Sequence, residues 1–159
     1  MPKNLFQSSQ KGFTLIELLV VISIIGTLAG LLITNFVGVR SRASDTGLKN
    51  NLNQMKTALR LYYNDYQQYP DANSGTMLGC GATGTSACTG GGTFSAGASS
   101  TVYMQELPAS FTYSVSADNE SFVLSTTLEN ASDQDIEASH DRCGQTYTSG
   151  SLVFYVCSE

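Results

Sequence analysis

Few residues of this 159-residue sequence are placed to do chemistry, and they fall into three groups. The first is Glu17, inside "KGFTLIELLVVISIIGTLAG" at residues 11–30. It is the only ionisable side chain between Phe13 and Val39. A carboxylate in an apolar run is costly and usually serves a function. The second group is Cys80, Cys88, Cys143 and Cys157, all well beyond that run. The third is the acidic stretch "SDQDIEASHD", which holds Asp133, Asp135, Glu137, His140 and Asp141.

An even set of cysteines in a small Gly/Ser/Thr-rich body suggests disulfides and an oxidising compartment. Three connectivities are possible, and the two local closures, Cys80–Cys88 and Cys143–Cys157, are favoured. Closing the second loop is worth ~3 kcal/mol on the chain-entropy model. Zinc ligands come as close pairs, whereas these spacings are wide and His140 is the only histidine. Asp133, Asp135 and Glu137 are weak calcium candidates: the stretch lacks the glycine and closing glutamate of an EF-hand loop. A solvated acidic loop is the better reading. His140 has no serine or cysteine nucleophile arranged for it and reads as a surface histidine. The sequence shows no phosphate-binding glycine loop, so neither an enzyme nor a cofactor is expected.

Charge narrows the partners. Residues 1–12 carry Lys3 and Lys11 and no acid, while residues 40–60 set Arg40, Arg42, Lys49, Lys56 and Arg60 against Asp45. From Leu61 onward 11 acids face only Arg142, a balance of −10. Such a body repels polyanions, so no direct binding of nucleic acid is expected.

The elements that position these groups follow from hydropathy. A helix over residues 13–39 would be ~40 Å long, enough for a bilayer core of ~30 Å. An ordinary signal-anchor is one reading. A cleaved secretory signal, cut near "TLA" at 27–29, is another, but the apolar run continues through "GLLITNFVGV". Neither accounts for Glu17. After a polar zone, Leu48, Leu52, Met55, Leu59, Tyr62, Tyr66 and Tyr69 recur at spacings of 4 and 3, one stripe of a helix. A short coiled coil would use the same stripe, but a core face laid on a sheet suits its aromatic end better. The helix is expected to end at Tyr69-Pro70, because a residue before proline disfavours the helical region.

The N-terminal stretch closely resembles the signature of type IV pilins and type II secretion pseudopilins. A short basic leader ends in Gly12, Phe13 follows, and the carboxylate stands at Glu17 before an unbroken apolar run. The resemblance is strong over residues 11–33 and fair to about Pro70. It implies the type IV pilin fold, an α+β architecture. In it a long N-terminal helix, apolar in its first half and amphipathic in its second, packs on a small C-terminal antiparallel sheet. It implies cleavage between Gly12 and Phe13 by a prepilin peptidase on the cytoplasmic side, and N-methylation of Phe13. The leader lysines fit the positive-inside bias, although Arg40 and Arg42 flank the other end. Glu17 would pair with the new amine of a neighbouring subunit during assembly, the kind of partner that stabilises a carboxylate in apolar surroundings. Gly26 and Gly30 form a small-xxx-small pair. In the family the helix loosens near there, but a proline common just downstream is replaced by Thr34.

The implied organisation is a leader at 1–12, a transmembrane and filament-core helix at 13–39 and an amphipathic half at 40–70. A Gly/Ser/Thr-rich variable loop follows at 71–101, then an antiparallel β head with a C-terminal disulfide loop at 102–159. The loop has almost no core-forming residues, so a linker stapled by Cys80 and Cys88 is expected. Strands are expected at 110–116, 120–129 and 151–158 from period-two alternation and turn residues. Asn119 and Asn130 start N-glycosylation patterns, which are common by chance. Major pseudopilins often bind calcium in their C-terminal loops, which adds some weight to the acidic stretch. The implied function is a structural subunit of a type IV pilus, serving motility, adhesion or DNA uptake. A type II secretion pseudopilin and a membrane-anchored monomeric binding protein are the alternatives. The implied partners are further copies in a helical filament, the peptidase, and an inner-membrane platform with its assembly ATPase. The precursor would be single-pass in the inner membrane and the mature form extracellular.

Overall fold

The computed structural model describes residues 12–96 and 101–158, and the side chains of all of these except 31–37. The expected leader, with Lys3 and Lys11, and the side chain of Thr34 lie outside the described residues. The chain divides into an N-terminal unit, Met1–Val39, and a C-terminal unit, Arg40–Glu159. One continuous helix, α1 (Leu15–Tyr66), contributes to both and passes through Gly26 and Gly30.

In the N-terminal unit α1 is apolar on every side. Leu15, Ile16, Leu18, Leu19, Ile22 and Ile25 are among its exposed side chains. A helix with no polar face must bury itself in a partner or a bilayer. Among the described residues, no helix is long and apolar enough to cross a membrane. The apolar part whose side chains are described, residues 15–30, is ~24 Å of helix against a ~30 Å bilayer core. The remainder of the expected 13–39 span runs into residues 31–37.

In the C-terminal unit the second half of α1 is amphipathic. Leu52, Met55, Leu59 and Tyr62 are buried, Leu48 packs partly against them, and Arg60 and Leu61 face outward. The helix ends at Tyr66, earlier than Tyr69-Pro70. Gln67 turns into the left-handed region with φ 57°, and its N–H still bonds to Tyr63 O at 2.7 Å. Tyr69 nevertheless stays in the core, T-shaped against Phe122 with ring centres 4.7 Å apart. It arrives by way of the turn rather than by helical periodicity.

The main sheet has the order β6-β7-β8, with β6 (Thr112–Val115), β7 (Phe122–Thr127) and β8 (Val153–Cys157) all antiparallel. Phe122, Leu124 and Thr126 alternate inward on β7, with Tyr113 and Val156 beside Leu124. Tyr113 crosses the core and donates its hydroxyl to Pro70 O at 2.7 Å. Burial holds that phenol well above its ordinary pKa.

The segment expected as a linker is instead part of the core. It forms β1 (Ala72–Asn73), β2 (Thr76–Cys80) and β3 (Ser86–Ala87) in one small sheet, and β4 (Phe94–Ala96) with β5 (Thr101–Met104) in another. Met77 and Phe94 are fully buried, and Phe94 stacks on Tyr62 at 5.5 Å. Composition concealed this because two large apolar residues among many glycines suffice once the Cys80–Cys88 disulfide closes the turn between β2 and β3. Gly90 shows how tightly the segment is laid down: a Cβ there would collide with Ala109 O.

The acidic stretch is also more ordered than a solvated loop. Residues Gln134–Arg142 form helix α2, capped by the Asp133 side chain, which accepts from the Asp135 N–H. Ile136, Ser139 and His140 are its buried residues. The expected surface histidine is therefore a core residue, 3 % exposed. Its Nδ1 lies 3.0 Å from Thr146 O and its Nε2 3.0 Å from Val153 O. Ser139 Oγ accepts from Tyr155 N–H at 3.1 Å. Together these two residues satisfy the outer edge of β8, the otherwise open side of the sheet.

If residues 71–101 were a linker, truncating Phe94 would cost little. In this fold Phe94→Ala should lower unfolding stability by about 3–5 kcal/mol, the usual cost of emptying an aromatic core site. Chemical denaturation of the purified chain measures it; a loss below about 0.5 kcal/mol would return the segment to a surface loop.

Candidate functional site

Glu17 stands in the first turn of α1. Its Oε2 accepts from Thr14 N–H at 2.8 Å and from the Thr14 hydroxyl at 2.6 Å. The Glu17 N–H points back to Thr14 Oγ1 at 3.4 Å. This is a capping box: the N-cap threonine and the glutamate three residues on satisfy each other's orphaned groups. Thr14 was missed in reading the sequence, although "TLIE" is itself the S/T-x-x-E signature. The carboxylate is thus hydrogen-bonded within its own chain. Phe13, the residue expected to carry the new amine, is 87 % exposed next to this cap.

The C-terminal unit holds a polar seam where α1 meets the segment after β7. Asp45, 1 % exposed, accepts from Glu129 N–H at 2.7 Å and Asn130 N–H at 2.9 Å. One helical turn on, Lys49 Nζ bonds to Asp133 Oδ2 at 2.5 Å and Asp135 Oδ2 at 2.7 Å, and sits 5.5 Å from the Phe154 ring centre. Two of the expected calcium candidates, Asp133 and Asp135, therefore converge on a lysine ammonium. Glu137 sits on α2. Among the described residues no group of three or more His, Cys, Asp or Glu is placed to hold a metal ion. Burial pulls Lys49 downward in pKa, but the hydrogen bonds and charges of Asp133 and Asp135 outweigh it and hold it above its ordinary value. Burial likewise pushes Asp133 upward, and Lys49 with the Asp135 N–H outweighs that, leaving it below the ordinary carboxylate range.

The cysteines pair locally, Cys80 with Cys88 and Cys143 with Cys157. The second bond ties the end of α2 to the end of β8. Of the two N-glycosylation patterns, Asn119 is committed to the fold. Its amide donates to Tyr69 O at 3.1 Å and to Asp71 Oδ1 at 2.7 Å. Asn130 accepts from Ser132 N–H at 3.2 Å in a local turn.

Comparison with known proteins bears on the N-terminal unit most directly. Residues 7–33 match the family described as the prokaryotic N-terminal methylation motif, which spans Gly12, Phe13, Thr14 and Glu17. The chain's homologues are type IV pilins and protein G pseudopilins. It is 42 % identical over 77 residues to the type IV wide pilus major component PilA4 of Thermus thermophilus, covering 48 % of this chain and 58 % of that protein. It is 38 % identical over 66 residues to the type IV major pilin protein PilA of Myxococcus xanthus, covering 42 % and 30 %. Against the type II secretion system core protein G of Escherichia coli it is 39 % identical over 66 residues, covering 42 % and 46 %. The chain thus spans between about a third and about three fifths of these relatives' lengths. No solved structure matches it. The α+β fold, a long N-terminal helix with small antiparallel sheets, is consistent with the pilin fold, and the homologues are structural subunits rather than enzymes.

The Lys49 seam has a definite pH signature. Asp133 is depressed, so its contribution is present above the ordinary value of 3.8 and is lost as pH falls through its lower folded value. Lys49 is raised, so its contribution holds below 10.5 and is lost as pH rises beyond its higher folded value. Thermal unfolding of the native chain and Lys49→Met across pH should show a gap at neutrality that closes below pH 3.8. Asp135, 66 % exposed, adds little to that gap. A gap unchanged down to pH 2 would remove the ion pair as its cause.

Proposed function

We propose that this chain is the precursor of a type IV pilus subunit, cleaved between Gly12 and Phe13, methylated at Phe13, and assembled through residues 13–39 into an extracellular filament. The observation that carries the reading is a coincidence. The methylation motif falls on the exposed, apolar first part of α1, where Glu17, four residues beyond Phe13, is the one carboxylate between Phe13 and Val39. An apolar helix of this kind has no use in water but serves first as an inner-membrane anchor and then as packing surface between copies. Cleavage releases a positive amine at Phe13, and the Glu17 carboxylate of an adjoining copy is its natural counter-charge in an apolar core. A prepilin peptidase, a membrane platform and a cytoplasmic ATPase are the partners this route requires.

The similarity to protein G supports a second reading, a pseudopilin of type II secretion. The pilus is preferred because two disulfides suit a surface exposed outside the cell. Shearing cells and imaging the released material separates them, since a pilin yields long surface filaments from native expression. Mass analysis of those filaments should find subunits that begin at methylated Phe13. Glu17→Ala should be processed normally yet reduce filament yield at least tenfold. Normal filaments from that variant would refute the role given to Glu17, and an intact Met1 in a purely monomeric membrane protein would refute the pilin itself.

A further inference from the structure

Side-by-side packing of C-terminal units meets an electrostatic obstacle, since residues 40–159 hold 12 acidic against 6 basic side chains, a balance of −6. Like charges at that density disfavour lateral contact unless cations are set against them. Lys49 is committed to Asp133 and Asp135 within its own chain. Arg40 and Arg42, at the start of the C-terminal unit, are exposed and make no ion pair among the described residues. Two positions apart on a helix, they point ~200° from one another, so each contact receives one guanidinium.

A counterpart lies on the same unit. A groove of about 620 Å³ runs between α1 and the segment after β5, lined by Asn51, Gln54, Tyr103, Gln105, Glu106 and Leu107. Glu106 is exposed and has no ion pair among the described residues. The Tyr103 hydroxyl donates to Asp65 Oδ2 at 2.8 Å, bringing a second carboxylate to that ring. The groove thus combines the Glu106 carboxylate with the side-chain amide oxygens of Asn51, Gln54 and Gln105, acceptors that a guanidinium can bond.

We propose that this groove receives Arg40 or Arg42 of a second copy of the chain, with Glu106 as the principal counter-charge. The proposal rests on the filament reading and names the surface through which neighbouring copies meet. Donor and acceptor are different patches, so the contact is heterologous. A heterologous contact can repeat from copy to copy, as a helical filament requires. Anionic lipid is the other class of partner that arginines beside an apolar helix could take, but lipid gives no role to the acceptor groove.

Full-length variants expressed in the native cells test this. Arg40→Glu combined with Arg42→Glu should cut sheared filament yield at least tenfold while membrane-bound, Phe13-processed subunit stays at native levels. Glu106→Arg alone should do the same. The three substitutions together, which reverse both sides of the pair, should restore at least a third of the native yield. Native yield from either charge reversal, or a combined variant no better than the single reversals, would overturn the pairing. It would equally be overturned if the arginine reversals merely removed the subunit from the membrane while Glu106→Arg assembled normally. Those results leave the filament reading intact; only the absence of filaments from the native chain would end that reading.

Discussion

The burial of one stripe of α1 is the constraint on which the C-terminal unit depends. Leu52, Met55, Leu59 and Tyr62 join a single core with Met77 and Phe94 from the glycine-rich segment and Tyr113, Phe122, Leu124 and Phe154 from the main sheet. Neither small sheet is large enough to bury a hydrophobic face alone, and a two-stranded ribbon is marginal in water. The helix supplies the common surface. Asp45 then fixes the segment after β7 on one side of it, and Tyr113, bonded to Pro70, fixes the exit from the helix.

The same helix presents two contrasting surfaces in sequence. Up to Val39 the described side chains are apolar and exposed, whereas from Arg40 one face is buried and the other polar. On the first surface the Glu17 carboxylate is held by Thr14 of its own chain. On the assembly account this capping box is the resting arrangement. It satisfies the carboxylate before a neighbour arrives and survives cleavage, since Thr14 lies beyond the Gly12–Phe13 bond. Assembly adds the neighbour's amine to a group already oriented by its own helix.

What could be read in advance was what depends on local pattern. The 3.6-residue stripe and the strand alternation around Tyr113 and Leu124 follow from spacing, and the local cysteine pairing is the favoured one of three that the sequence allows. The features that escaped depend on tertiary placement. Gln67 ends α1 early by adopting a left-handed conformation that no proline rule anticipates. His140 looks like a surface residue until α2 is laid on β8, where two carbonyls take its ring. Asp133 and Asp135 read as part of a solvated acidic loop, and only weakly as calcium ligands, because Lys49, 84 and 86 residues away in sequence, is invisible from their neighbourhood. Phe94 and Met77 were outweighed by the glycines and serines around them. The Thr14 cap is by contrast a local pattern, T-x-x-E, set at the edge of the apolar run.

The central claim is that Glu17 exchanges a purely intrachain environment for one shared with a neighbour's cleaved terminus. Electron cryomicroscopy of sheared native filaments, at a resolution that places side chains, tests it most directly. The account predicts residues 13–39 packed in the filament core, with each Glu17 carboxylate within hydrogen-bonding distance of the methylated Phe13 amine of another copy. A filament in which every Glu17 contacts only its own Thr14, with the Phe13 amines facing solvent or other groups, would contradict it.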